Sequence, residues 1–207
     1  MKINKPNFWK SKNLISVLLF PFSFIVIMVT FFKTRLIKPT KFKIPIICVG
    51  NIYVGGTGKT PISILIAKEL FSLGKKTAII RKFYSSHQDE YLLIKKNYNN
   101  LILNKNRSSA ILEANNSGFD LVVLDDGFQD YKIQKNFNII CFNQNQKIGN
   151  GKVFPAGPLR ENLNSLKNAQ VVIINGLRDQ KFEEELKEVN ENLYLISKKV
   201  CLLHRDI

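Results

Sequence analysis

Residues 54–60 read Val54-Gly55-Gly56-Thr57-Gly58-Lys59-Thr60, a set suited to gripping phosphate. Glycines let backbone N–H groups turn inward on an anion, and the positive end of a following helix adds to their field. Lys59 supplies an ammonium group for the outer phosphate oxygens, and Thr60 a hydroxyl for Mg²⁺. Pro61 follows at a position where the first turn of a helix tolerates a missing N–H. The strict loop pattern asks for glycine at position 53, where this chain has Tyr53. Gly55 and Gly56 still leave the loop open, so the expected nucleotide-binding residues are Tyr53, Val54, Gly55, Gly56, Thr57, Gly58, Lys59 and Thr60. The plainer alternative is a glycine turn with a surface lysine.

Two further segments carry chemistry. Leu121-Val122-Val123-Leu124 runs into Asp125-Asp126-Gly127-Phe128-Gln129, which puts carboxylates at the end of an apolar strand, where ligands sit in open α/β sheets. Mg²⁺ needs such oxygen donors, although Asp-Gly alone is a common turn. The stretch 148–161 is rich in glycine and proline and ends in Arg160-Glu161. It reads as an ordered loop, either a solvated connection or a carrier for an arginine beside phosphate.

The elements that must position these residues follow an α/β pattern. Apolar runs at 44–49, 77–80, 121–124, 137–142 and 171–174 predict strands, and apolar spacing over 61–73 and 108–117 predicts helices closed by Gly74 and Gly118. Buried-type strands separated by helices imply a mostly parallel sheet with flanking helices, the P-loop NTPase-like class. The Asn/Lys-rich stretch 95–107 gives no pattern. At 207 residues the chain suffices for one such domain with a small appendage.

That appendage is the N-terminus. Residues 14–32 carry no charged side chain, and as helix would reach about 28 Å, close to the ~30 Å hydrocarbon core of a bilayer. Lys2, Lys5, Lys10 and Lys12 precede the run, while Lys33, Arg35, Lys38, Lys41 and Lys43 follow; the first acidic residue is Glu69. No small-residue cleavage site follows, so the segment is expected to stay. It would span the membrane, lie in the interface with its lysines on anionic headgroups, or pack as a core helix. Pro21 and Ser23 count against a straight span. The expected division is 1–43, a membrane-associated helix, and 44–207, the catalytic domain.

The chain carries 31 Lys+Arg against 16 Asp+Glu, a net charge of +15, so an acidic neighbour is expected. Because the cations cluster around an apolar helix, anionic lipid suits them better than nucleic acid. Cys48, Cys141 and Cys201 lie in apolar stretches without metal-ligand spacing, which suggests neither a disulfide framework nor a zinc site. Nothing in the residues sets an oligomeric state.

Taken in order, the segments 49–61, 125–129 and 155–161 resemble the lipid A 4′-kinase (tetraacyldisaccharide 4′-kinase) family, in which V-G-N-x-x-x-G-G-x-G-K-T-P, D-D-G-x-Q and P-A-G-x-L-R-E occur in succession. Pro6-Asn7-Phe8-Trp9 ahead of an apolar helix is similar too. The resemblance implies ATP-dependent phosphorylation of the 4′ hydroxyl of tetraacyldisaccharide 1-phosphate, with Mg²⁺, on the cytoplasmic face of the bacterial inner membrane. It implies a catalytic role for Lys59 and Asp126, Mg²⁺ ligation by Thr60, Asp125, Asp126 and Glu90, and substrate contacts from Arg160 and Gln129. His87-Gln88-Asp89-Glu90 resembles the family's G-D-E segment, which would make Asp89 the residue that activates the attacking hydroxyl; Gln88 replaces the glycine.

Two departures stand out. Arg81-Lys82-Phe83-Tyr84 runs almost directly into His87, where the family has an Arg-Gly-Tyr-Gly-Arg stretch, so a substrate-contacting loop is expected to be deleted. The family also continues into a segment with an Asp-His pair, which His204 does not match; His204 is expected to be a surface histidine, and the chain a shortened form. The competing class is a membrane-associated P-loop ATPase or GTPase switch. Against it, Val54 stands where partitioning ATPases carry an extra lysine, and no Asn-Lys-x-Asp is present. A third alternative is a truncated kinase that binds ATP but turns over poorly.

Overall fold

The computed structural model describes residues 5–11 and 13–198. Lys2, Lys12, Cys201 and His204, singled out in the sequence, lie outside the described residues. Seven strands form a sheet in the order β3-β2-β4-β1-β5-β6-β7. They are β1 Ile46–Gly50, β2 Thr77–Lys82, β3 Leu101–Asn104, β4 Leu121–Asp125, β5 Phe137–Asn143, β6 Val171–Asn175 and β7 Tyr194–Lys198. The α-helices are α1 Leu14–Leu18, α2 Phe20–Leu36, α3 Lys59–Ser72, α4 Gln88–Asn97, α5 Arg107–Asn116 and α6 Gln180–Val189. The pairs β1–β4, β2–β4, β2–β3 and β6–β7 are all parallel, as the expected fold class requires. By contacts the chain forms two compact units: one of residues 1–38, 51–57 and 140–199, the other of residues 39–50, 58–139 and 200–207.

In the second unit, β-branched residues set both the strands and the core. Val122, Val123 and Leu124 of β4 pair with Ile46, Ile47 and Cys48 of β1 on one side and with Ala78, Ile79 and Ile80 of β2 on the other. With apolar groups on both faces, the strands are covered by helices rather than wetted. Ile62, Ile64 and Ala67 of α3, Ile94 of α4 and Ile111 of α5 are fully buried. Helix α3 ends where Gly74 turns left-handed (φ 79), letting Lys75 N–H donate to Leu70 C=O at 3.0 Å. The stretch 95–107, blank in sequence, contains β3 and the end of α4. Every residue of β3 is only half-buried, and its apolar run, Leu101-Ile102-Leu103, falls short of the roughly four to eight residues that mark a buried strand.

In the first unit, Phe142 of β5 meets Phe182 of α6 edge to face at 5.5 Å, and Val172, Ile174 and Leu186 complete the core. Asp179 caps α6 by accepting from Phe182 N–H at 3.1 Å. Neither α6 nor β7 is expected from the sequence, although Phe182 and Leu186 four residues apart were a usable signal.

The N-terminal apolar run is not one helix. Asn13 caps α1, accepting from Ser16 N–H at 2.9 Å, and the chain breaks at Leu19. Pro21 then occupies the first turn of α2, where its missing N–H costs nothing. No helix among the described residues is long and apolar enough to cross a membrane. The helices are also turned inside out relative to a core helix. Phe22 is 58% exposed and Phe20, Phe24, Ile25 and Phe32 are exposed with it, whereas Ser16 and Ser23 are fully buried. Ser23 Oγ donates to Val153 C=O at 2.7 Å and accepts from Ala156 N–H at 3.0 Å. Lys152 Nζ donates to Ser16 C=O at 3.1 Å. Hydrogen bonds from buried serines help hold this side of the helices.

Candidate functional site

The second unit holds a charged cluster built on the start of α3 and the end of β4. Gly58 enters α3 in the left-handed region (φ 85), a conformation that favours glycine. It brings Lys59 and Thr60 into the first turn, both buried. Thr60 Oγ1 donates to Asp125 Oδ2 at 3.0 Å, and Ser63 Oγ lies 3.0 Å from Asp125 Oδ1. Asp125 is 0% exposed, and an isolated buried carboxylate would be strongly disfavoured. Its charge is met by Arg81, 2% exposed, whose Nη1 donates to Asp125 and also to Thr60 Oγ1 at 3.1 Å. Strand pairing creates this meeting, because Arg81 and Asp125 are register partners across β2 and β4.

Asp126 sits one residue on, with φ 62, a conformation uncommon for a non-glycine residue and enriched at working sites. Its N–H donates to Val49 C=O at 2.9 Å, and its C=O accepts from Arg107 Nη2 at 2.5 Å. The carboxylate lies 3.7 Å from Lys59 Nζ. Arg107 also pairs with Asp130 at 3.2 Å, and Lys135 Nζ donates to Phe128 C=O at 2.9 Å. The loop that carries Gln129, itself half-buried, is thereby braced at both ends.

Asp89 and Glu90 stand in the first turn of α4, where the helix dipole favours anions. Asp89 is exposed. Glu90 turns toward the cluster and pairs with Arg81 Nη2, so one guanidinium joins Asp125 to the acidic start of α4. His87 Nδ1 is 3.6 Å from Glu90. Burial, followed by the nearby Arg81 charge, pushes the His87 pKa below its ordinary value.

The first unit holds the other half of the glycine loop. Asn51 Nδ2 donates to Gly55 C=O at 3.2 Å and to Thr57 Oγ1 at 3.0 Å, and Gly55 adopts φ 111. The 155–161 loop lies against it: Val54 N–H donates to Pro158 C=O at 2.8 Å, Tyr53 and Leu159 form an antiparallel bridge, and Arg160 N–H donates to Ile52 C=O at 2.7 Å. Arg160 is thus brought beside Tyr53 and Val54. Trp9 Nε1 donates to Pro155 C=O at 3.1 Å, and Asn150 Nδ2 to Ala156 C=O at 2.8 Å, so the loop is ordered rather than a solvated connection.

Of the sequence-derived candidates, Lys59, Thr60, Asp125 and Asp126 meet in one cluster, Glu90 reaches it through Arg81, and Asp89 faces solvent. Tyr53, Val54, Gly55, Gly56, Thr57 and Arg160 lie together in the first unit. Sequence reasoning assigned no role to Arg81, Ser63, Arg107 or Asn51. The available signals were a charged residue ending a buried strand, for Arg81, and an invitation to cap a turn, for Asn51. Among the described residues no group of three or more His, Cys, Asp or Glu side chains could hold a metal by itself. Cys48 and Cys141 are buried thiols, and burial pushes Cys48 up to about 12, in keeping with small core residues.

Comparison with known proteins adds the following. A family model described as LpxK, tetraacyldisaccharide-1-P 4′-kinase, matches residues 15–202. A tetraacyldisaccharide 4′-kinase of Pelagibacter ubique is 41% identical over 210 residues, covering 100% of this chain and 66% of that protein. One from Mannheimia succiniciproducens is 35% identical over 193 residues, covering 82% of this chain and 59% of that protein. The crystal structure of LpxK from Aquifex aeolicus in complex with ATP superposes with a TM-score of 0.67 at 26% identity, covering 78% of this chain and 59% of that one. The chain therefore spans 59% to 66% of the length of these relatives.

Proposed function

Because the chain belongs to the tetraacyldisaccharide-1-P 4′-kinase family, we propose that it transfers the γ-phosphoryl group of ATP to the 4′ hydroxyl of tetraacyldisaccharide 1-phosphate, a lipid A precursor. The observation that carries this reading is the clasp of Lys59, Thr60 and Asp125 at a helix start entered through left-handed Gly58. Phosphoryl transfer depends mainly on positioning and charge stabilisation, and this clasp provides both.

Magnesium suits the residues present. The donor set is oxygen only, and Mg²⁺ is commonly held by one or two carboxylates together with the substrate's phosphates rather than by a protein cage, which agrees with the lack of a larger acidic group among the described residues. Of the residues expected to ligate it, Thr60 and Asp126 would hold it directly, with Asp125 and Glu90, both paired to Arg81, behind them, and when bound it neutralises charge on the phosphate oxygens. Asp125 is already engaged by Arg81, Thr60 and Ser63, so its part is to orient the Thr60 hydroxyl. Lys59 places its ammonium on the outer phosphates and is held by Asp126. Asp89, exposed at the start of α4, accepts the proton of the acceptor hydroxyl. Arg160 and Gln129 bind the substrate.

Residues 1–43 serve as the membrane-associated segment and 44–207 as the kinase domain. Helices α1 and α2 direct aromatic and aliphatic side chains outward and bury serines, with Lys33 and Arg35 in the last turn of α2. That arrangement supports a helix lying on the anionic cytoplasmic face of the inner membrane, where each basic residue contributes about 1 kcal/mol. Nucleic acid is not part of this reading.

The full chain, incubated with tetraacyldisaccharide 1-phosphate and MgATP, should yield the 4′-phosphorylated product, and Lys59→Ala should abolish it. ATP hydrolysis that ignores the lipid and is raised by a protein partner would replace this reading with that of a switch ATPase.

A further inference from the structure

We propose that Lys5 is a second phosphate ligand of the glycine loop, reaching from the N-terminal segment to place an ammonium group on the polyphosphate of the bound nucleotide. The proposal rests on the reading of residues 54–60 as a nucleotide loop, and everything that carries it lies within the first unit.

Position comes first. A Cβ built on Gly55 would lie 3.0 Å from both Cε and Nζ of Lys5, so the lysine tip fills the space beside the loop backbone that the missing side chain leaves. The same ammonium sits 4.7 Å from the centre of the Tyr53 ring, inside the range in which an aromatic face attracts a cation. Tyr53 is 5% exposed and stands where the strict loop pattern has glycine. It acts here as a platform that holds a cation against the next two loop residues. The sequence has no lysine ahead of the glycines, where Val54 stands; folding supplies one from elsewhere in the chain.

Lys5 is also anchored. The residues just after it form a single 3₁₀ turn, Asn7–Trp9, with Trp9 buried. Phe8 C=O accepts from Asn150 Nδ2 at 3.1 Å, and Trp9 C=O accepts from Asn150 N–H at 2.8 Å. The lysine therefore starts from a fixed point, which reduces the entropy lost when it engages an anion.

Among the described residues the charge has no carboxylate partner. No acidic residue precedes Glu69 in the chain, and among the described residues no carboxylate lies within ion-pair distance of Lys5. Burial already pulls its pKa below the ordinary lysine value. A partly dehydrated cation without a counter-ion is unfavourable, and an anion arriving beside Gly55 and Gly56 relieves that. Compact and triply donating, an ammonium suits phosphate oxygens as a point charge. The ligand class is the polyphosphate of a nucleoside triphosphate, not its base or sugar.

The test is calorimetric titration of ATP and of AMP into the full chain and its Lys5→Ala, Lys5→Arg, Lys167→Ala and Lys59→Ala variants. Lys5→Ala should weaken ATP about tenfold, the scale of one charge-assisted hydrogen bond, and AMP less than about twofold by the same reasoning. Lys5→Arg should keep most of the affinity, and exposed Lys167 should not matter. Melting without nucleotide should be the same for Lys5→Ala and the parent, which separates ligand contact from a folding role. Unchanged ATP affinity in Lys5→Ala would overturn the proposal while leaving the loop intact. Tighter ATP binding would overturn it as well, showing that the lysine obstructs the loop. Unchanged affinity in Lys59→Ala would remove the nucleotide loop itself, and Lys5 with it.

Discussion

Replacing Arg81 by methionine removes the one guanidinium shared by Asp125 and Glu90 while keeping a side chain of similar length. Asp125, 0% exposed, would retain the Thr60 and Ser63 hydroxyls and lose its cation. Breaking a buried pair by deleting one partner costs about 3–5 kcal/mol, because the remaining charge is left uncompensated. Glu90 adds little, since its side chain is 42% exposed and water takes over there. For a chain of this length each kcal/mol moves the midpoint by about 2–4 °C, so Arg81→Met should melt about 6–20 °C lower. Asp125→Asn should fall in the same range, as it strands the buried arginine instead. The double variant should cost less than the sum of the two by at least about 2 kcal/mol, since neither charge then remains to be stranded. Calorimetric melting of the four proteins closes the cycle. Additive losses, or a single variant within about 2 °C of the parent, would refute the claim that Arg81 exists to neutralise Asp125.

Ser23→Ala leaves Ala156 N–H without its buried partner, while Val153 C=O keeps Gly157 N–H; it should cost about 1–3 kcal/mol in a denaturant titration, the range for one stranded group. His87 has a folded pKa below its ordinary value, so the unfolded chain binds its proton first: its contribution is complete above about pH 6.5 and is lost as pH falls through the lower folded value. His87→Gln should flatten that acid limb of the melting-temperature profile, and an unchanged slope would refute the assignment. Cys48 and Cys141 should resist a thiol reagent at pH 8 in the native protein and label on unfolding, with peptide mapping as the readout, because both are buried and the Cys48 thiol sits at about 12.

What could be read from the sequence was what local chemistry writes into adjacent residues. The glycine loop, the strand-end aspartates and the buried strands β1, β2, β4, β5 and β6 each occupy a few consecutive positions, and all lie within a residue or two of their expected bounds. The missed parts depend on register or exposure. Arg81 matters because two strands pair so as to set it opposite Asp125, a fact no window of sequence contains. β3, half-buried throughout, offers only the short run Leu101-Ile102-Leu103 inside an Asn/Lys-rich stretch, too short to mark a strand. The apolar N-terminal run was visible, but its break at Leu19 goes with Pro21 beginning a new helix. In sequence alone, Pro21 reads only as a defect in one long helix.

The inside-out packing of α2 bears on how the two halves of the proposed activity are joined. A soluble helix would bury its phenylalanines and wet its serines; this one does the reverse. The serines are spent on the 152–156 backbone, and the loop that follows pairs through Pro158, Leu159 and Arg160 with residues 52–54. Within the first unit, a continuous run of hydrogen bonds thus leads from the surface proposed to face lipid to the segment proposed to face ATP. Rigid elements joined this way transmit position better than a flexible tether, for which each doubling of length loosens the placement of its ends. A kinase whose acceptor is embedded in a membrane gains little from a tight nucleotide loop unless that loop is also held at a fixed height above the lipid; on the proposed reading, the buried serines of α1 and α2 would be the means of fixing it.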